Sequence, residues 1–403
     1  MATGKEAFSQ DVTLTMQPGL EGYEYYRDDS SRLTVPEGVT LTVQAGVTML
    51  MPQHGILIVG GHLWAAGKAN NVAHFVSVPE VVANGDEWQG VVFGENGSGL
   101  MTYSEIQDAG VGVGIFGANG GEVAISDSKI SNNRFGGVST PDALHRLQMS
   151  NVTFEDNEWN RIGLEVADGF EMFSQDVTLT AQPGLEGYEA IDDFARIVVP
   201  EGVVLTMEPS TTFFFTETVS LQVEGALHLE GTAVHPATLT SLDESSSWKG
   251  VLLTGNGMMT SDYGEIARAE TAVSIISPTA TLSMTHSAIS QNGVGILANE
   301  GTVTMRCTAV TDNNVGIHIE SGTNPAFDVQ QNNISGNMIA GIDNESGSQI
   351  DVRANWWGDV SGPSGIGSGS GDAAMGNLLY DPWLAEYECA DAYATFLPFV
   401  INP

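Results

Sequence analysis

Apolar and polar residues alternate along this chain in short runs of three to five, rich in Val, Ile and Thr and broken by Asn, Gly, Ser and Asp. A period of two predicts half-buried strands, and the breaks are turn residues. No segment carries a 3.6-residue apolar stripe of helical length. The runs also recur. The pattern apolar-x-apolar-x-x-polar-x-apolar-x-x-Asn closes at Asn133, Asn157, Asn292, Asn313 and Asn337. Its last apolar positions include Ile106, Ile130 and Phe154, then Ile266, Ile289, Val310, Ile334 and Trp357, at spacings of 24 and 24, then 23, 21, 24 and 23. A glycine followed six residues later by another runs in step, at Gly114/Gly120, Gly163/Gly169, Gly295/Gly301, Gly316/Gly322 and Gly341/Gly347. Self-similarity at this period marks a solenoid, and short strands joined by tight turns predict a parallel β-helix. Allowing for caps, the length gives roughly 15 coils at a spacing of ~4.8 Å. Ile130, Phe154, Ile289, Val310 and Ile334 are then expected to point inward and stack.

A longer repeat overlies the short one. Residues 8–24 read FSQDVTLTMQPGLEGYE and residues 173–189 read FSQDVTLTAQPGLEGYE, so only Met16 and Ala181 differ. The match continues loosely through Arg32–Gly38 against Arg196–Gly202, and Trp88–Val92 against Trp248–Leu252. Two homologous modules in tandem are expected, at 1–170 and 171–354. Residues 355–403, with Trp, Pro and Gly in place of coils, read as a C-terminal cap and apolar tail.

Composition narrows the functions. The chain has 403 residues with 13 Lys+Arg and 50 Asp+Glu, so its formal charge is 13 − 50 = −37. That charge repels phosphate, which argues against nucleic acid and against anionic membrane surfaces. No apolar run approaches the ~20 residues needed to span a bilayer, so no membrane insertion is expected. A polyuronate would likewise meet a repulsive surface. A neutral glycan stacking on Trp64, Trp159 or Tyr103 stays open. Trp88 and Trp248 hold equivalent module positions, which favours packing over a sugar platform.

The stretches LTVPEGVTLTVQAGVTM, IVVPEGVVLTMEPSTTF, WQGVVF and WKGVLL resemble the opening coils of secreted bacterial right-handed parallel β-helix proteins of the pectate-lyase-like superfamily. Asn355-Trp356-Trp357-Gly358, Ser361-Gly362-Pro363 and Tyr380-Asp381-Pro382-Trp383-Leu384 resemble the closing segment of the same proteins. The resemblance covers most of residues 20–385. It implies an all-β fold, a right-handed single-stranded parallel β-helix, here of two tandem homologous modules. It also implies an extracellular or cell-surface location. It says little of activity, because the superfamily holds lyases, hydrolases, epimerases, adhesins and structural rods.

A lyase of this superfamily would hold Ca2+ on clustered carboxylates beside an Arg or Lys. The candidates are Asp28 and Asp29 before Arg32, echoed by Asp192 and Asp193 before Arg196. Aspartate is also a turn former, and these pairs precede the first strand of each module, so the turn reading is favoured. The hydrolase motifs Asn-Thr-Asp, Gly-His-Gly and Arg-Ile-Lys have no match, and no catalytic residue is assigned. Ca2+ at these carboxylates is the one cofactor left open.

A β-helix end is a row of unpaired backbone groups on an apolar core. Phe8, Val12 and Leu14 lie in the first copy of the duplicated segment. Phe396, Leu397, Phe399 and Val400 make the tail apolar where chains are usually polar. These seven are assembly candidates for a head-to-tail homopolymer; other surface components are the alternative partner. Cys307 and Cys389 are one disulfide or two inert thiols. Cys307 falls at the coil position of Asp127, Asn151 and His286, an outward turn, so a bond closing 389 − 307 = 82 residues is expected. The resulting expectation is a non-catalytic structural protein at or outside the cell surface, against a polysaccharide-binding or polysaccharide-cleaving alternative.

Overall fold

Short strands follow one another in threes because each apolar run is too brief for more than one pleated segment before a turn residue ends it. The computed structural model describes residues 5–25, 32–79, 87–140, 144–165, 170–191, 196–387 and 389. Among the described residues nearly all regular structure is β, with one short 3-10 turn at Leu144–Arg146. The strands wind into about 14 coils. The described residues divide between two compact units, 1–167 with 181–189, and 168–180 with 190–403. The duplicated segment 173–189 is thus split between them.

In the first unit each coil visits three sheets in turn, as in Ile56–Val59, His62–Ala66 and Ala73–Ser77. Two of these sheets have six strands, and the third runs from Lys5–Ala7 to Arg161–Glu165. Every ladder is parallel, so like positions on successive coils face each other. Ile106 pairs with Ile130 and Ile130 with Phe154, all buried.

The second unit repeats the scheme, as in Val294–Ala298, Thr302–Arg306 and Ala309–Thr311. Ile266, Ile289, Val310 and Ile334 form one inward column. The expected inward register is therefore present in both units. Trp88 and Trp248 are both fully buried, and their Nε1 groups donate to Gln107 and Ala267 carbonyls at 2.9 and 3.0 Å.

In the coils at 103–157 and 263–337, two corners turn through left-handed backbone. One is occupied by Asp127, Asn151, His286, Cys307, Gln331 and Ala354, with φ between 47° and 59°. Just beyond the other corner, the closing asparagines turn inward. Asn313 Oδ1 accepts the N–H and Nδ2 of Asn292 at 3.0 and 2.9 Å, and Asn337 Oδ1 accepts the same pair from Asn313 at 3.1 and 3.0 Å. The Asp372 carboxylate ends this column, taking Asn337 N–H and Nδ2 and Gly336 N–H.

Candidate assembly site

Gln182-Pro183-Gly184-Leu185 is a hydrogen-bonded turn, with Leu185 N–H donating to Gln182 O at 3.0 Å and Gly184 at φ 75°. Pro at the second place and Gly at the third are the residues a type II turn requires. Within the first unit this turn lies on the strand Thr153–Glu155, the last of its sheet. Val152 N–H donates to Gln182 Oε1 at 3.0 Å and Phe154 N–H to Pro183 O at 2.8 Å. These are the alternate donors a strand edge leaves open. A Cβ on Gly184 would stand 2.0 Å from Phe154 O, so only glycine fits. Arg161 then takes the acids that follow, with Nε 2.9 Å from Glu186 and Nη1 2.7 Å from Glu189. Burial would lower the Arg161 pKa, but hydrogen bonds and charge from Glu186 and Glu189 outweigh it and hold the guanidinium above its ordinary value.

Residues 17–24 are the same octapeptide, QPGLEGYE. Its turn forms identically, with Leu20 N–H to Gln17 O at 3.1 Å and Gly19 at φ 80°. Its forward side also matches. Asp11 Oδ1 takes Thr40 N–H at 2.8 Å, as Asp176 Oδ1 takes Val204 N–H at 2.9 Å. The other side differs. Gln17, Pro18, Gly19, Glu21 and Glu24 are exposed, and a Cβ on Gly19 would meet nothing within 4 Å. Phe8, Val12 and Leu14 are half-buried, whereas their counterparts Phe173, Val177 and Leu179 are buried.

In the second unit, residues 377–387 and Cys389 close the last coil. Ile350 N–H donates to Asn377 O, Val352 N–H to Leu379 O and Ala354 N–H to Pro382 O at 2.7 Å; Leu384 N–H returns to Asn355 O at 3.0 Å. Trp383 lies over Gly362 and donates from Nε1 to Val360 O at 3.1 Å. Burial pushes the Tyr387 hydroxyl up to about 12. Cys307 and Cys389 form a disulfide, with sulfurs 2.00 Å apart, that ties this segment to a coil 82 residues earlier.

Asp28, Asp29, Asp192, Asp193, Phe396, Leu397, Phe399 and Val400 lie outside the described residues. Among the described residues no three His, Cys, Asp or Glu side chains cluster as metal ligands, and no helix is long and apolar enough to cross a membrane. Trp64 and Trp159 are exposed, and Trp64 neighbours exposed Leu100 on the outer side of one sheet. Sequence reasoning singled out the apolar side chains of the duplicated segment. It missed the hook formed by residues 182–189, whose contacts are the Gln182 amide oxygen, the Pro183 carbonyl and Gly184. The identity of residues 17–24 and 182–189 was its only signal.

Residues 215–356 match a protein-family model described as a right handed beta helix region. No curated protein and no solved structure matches the chain.

Proposed function

We propose that this right-handed parallel β-helix repeat protein is a non-catalytic structural element that joins other coils end to end through its first coil. One observation carries the reading. The same sixteen-of-seventeen segment has its apolar side chains buried at 173–179 and half-exposed at 8–14. Chemistry that is satisfied in one copy stands available in the other. A contact between unlike faces of identical molecules propagates into a filament unless its rotation closes a ring. The Cys307–Cys389 disulfide supports an oxidising compartment, hence an extracellular or cell-surface location.

Light scattering over a concentration series, in oxidising and in reducing buffer, tests it. The full chain should associate in at least one buffer, and removal of residues 1–24 should abolish this. A chain that stays monomeric in both, or a truncated chain that associates equally, defeats the reading. The exposed Trp64–Leu100 pair supports a second reading, a neutral-glycan binder. Retention on insoluble neutral glucan, lost in Trp64→Ala, would support it instead.

A further inference from the structure

This inference rests on the end-to-end reading and names the joint and its control. The hook 182–189 shows what the hook 17–24 fits: a coil end with two alternate strand N–H donors. In the first unit those donors, Val152 and Phe154, flank Thr153, whose N–H bonds back to Ser128 O at 2.8 Å. The last coil has the same arrangement. Trp356 N–H bonds back to Asn332 O at 2.9 Å, and Asn355 and Trp357 flank it. The residue entering each strand, Asn151 or Ala354, has φ 55°. The registers therefore correspond. Among the described residues, the N–H groups of Asn355 and Trp357 find no acceptor. The closing segment uses the neighbouring groups instead, Ala354 N–H and Asn355 O. It covers this edge without satisfying it, and the disulfide pins it there.

We propose that the hook 17–24 of one copy docks on the last coil of a second copy, at Asn355 and Trp357, once the Cys307–Cys389 bridge is open and residues 377–387 can leave. In the joint, Gln17 Oε1 and Pro18 O accept those two N–H groups, as Gln182 and Pro183 accept those of Val152 and Phe154. Opening requires a thiol reductant. A dithiol gives two electrons and two protons to the bridge, leaving two cysteine thiols and its own disulfide. Oxidation seals the last coil and ends addition at that end. Chains stack while the thiols are still reduced, before the oxidising compartment closes the bridge of the terminal copy and so fixes the length reached.

The hook glycine supplies the test. At Gly184 any side chain strikes Phe154 O, whereas at Gly19 there is open space. Gly19→Asn keeps a residue tolerant of left-handed backbone, so the single chain folds, but the added side chain would strike the carbonyl of a docked coil. Mass is read by light scattering on the full chain when oxidised, when reduced with dithiothreitol, and as Cys307→Ser/Cys389→Ser; circular dichroism confirms that each is folded. The oxidised chain should be monomeric. The reduced chain and the serine variant should form oligomers whose mass grows with concentration, and Gly19→Asn in either should be monomeric. Equal association of oxidised and reduced chains, or undiminished association of Gly19→Asn, overturns the proposal. If association is equal in both redox states yet lost on removing residues 1–24, the end-to-end reading stands and the seal alone falls.

Discussion

Asn313 illustrates what one residue does in each coil that closes on asparagine. Its carbonyl oxygen holds two donors of Asn292, while its Nδ2 donates to Ile289 O and Asn337 Oδ1. Buried at a bend where backbone N–H groups have no strand partner, the carboxamide replaces the missing ladder. Asn313→Ala orphans the Asn292 N–H and leaves Asn292 Nδ2 only its bond to Ile266 O, and should lower stability by about 3 kcal/mol, read as a lower urea midpoint. The asparagines were visible in the sequence because their spacing repeats. Asp372, which ends the column, was not, since it belongs to no repeat. Glu265 makes the opposite kind of contribution. Burial raises its pKa, and the Arg268 charge only partly counters this. The folded chain then holds a proton over a window just above the ordinary carboxylate value where the unfolded chain has released it. The protonated group's contribution is complete below the ordinary value and is lost as pH rises through the folded one. Glu265→Gln should melt above the wild type at pH 7, and the gap should close toward pH 4. A gap constant with pH would refute the assignment.

At the scale of elements, the strands were legible and the corners only half so. Ile130, Phe154, Ile289, Val310 and Ile334 announce their faces by alternation, since a one-residue slip would send all of them outward. The corners are imposed by the coil rather than chosen by the residue. Tyr103, His286, Cys307 and Ala354 all sit at positive φ, although Tyr and Ala have no preference for it. Arg146 was invisible for another reason: its partners are backbone. It is buried and donates to the carbonyls of Gly94, Gly97, Phe116, Gly117 and Gly121, gathering turns of successive coils around one guanidinium. Arg146→Met keeps most of the bulk and removes every donor. It should cost about 3 kcal/mol or more, with hydrogen-exchange protection falling first at 94–97 and 116–121. The disulfide acts between elements. Cys307→Ser/Cys389→Ser relaxes a loop of 82 residues and should lose about 4 kcal/mol by the chain-entropy account, seen as an earlier denaturant midpoint for the second unit.

For the molecule as a whole the dominant quantity is the charge of −37. Among the described residues the ion pairs are few and mostly solvent-facing, such as Lys249–Glu270 and Arg353–Asp351, and exposed pairs of this kind contribute little. Most carboxylates therefore face one another through water, and folding concentrates that repulsion. The Debye length falls from about 30 Å at 0.01 M to about 8 Å at 0.15 M, so salt should relieve the strain. The melting temperature should climb across that range and then level off. Association through the first coil should also quicken with salt, because two bodies of like charge must approach before the hook can act. The identity of the cation separates screening from binding. If Asp28, Asp29, Asp192 and Asp193 are turn residues, CaCl2 and NaCl at equal ionic strength should raise the melting temperature by similar amounts. A rise with micromolar CaCl2 at fixed ionic strength, abolished by Asp28→Asn/Asp29→Asn, would instead assign a Ca2+ site to those carboxylates.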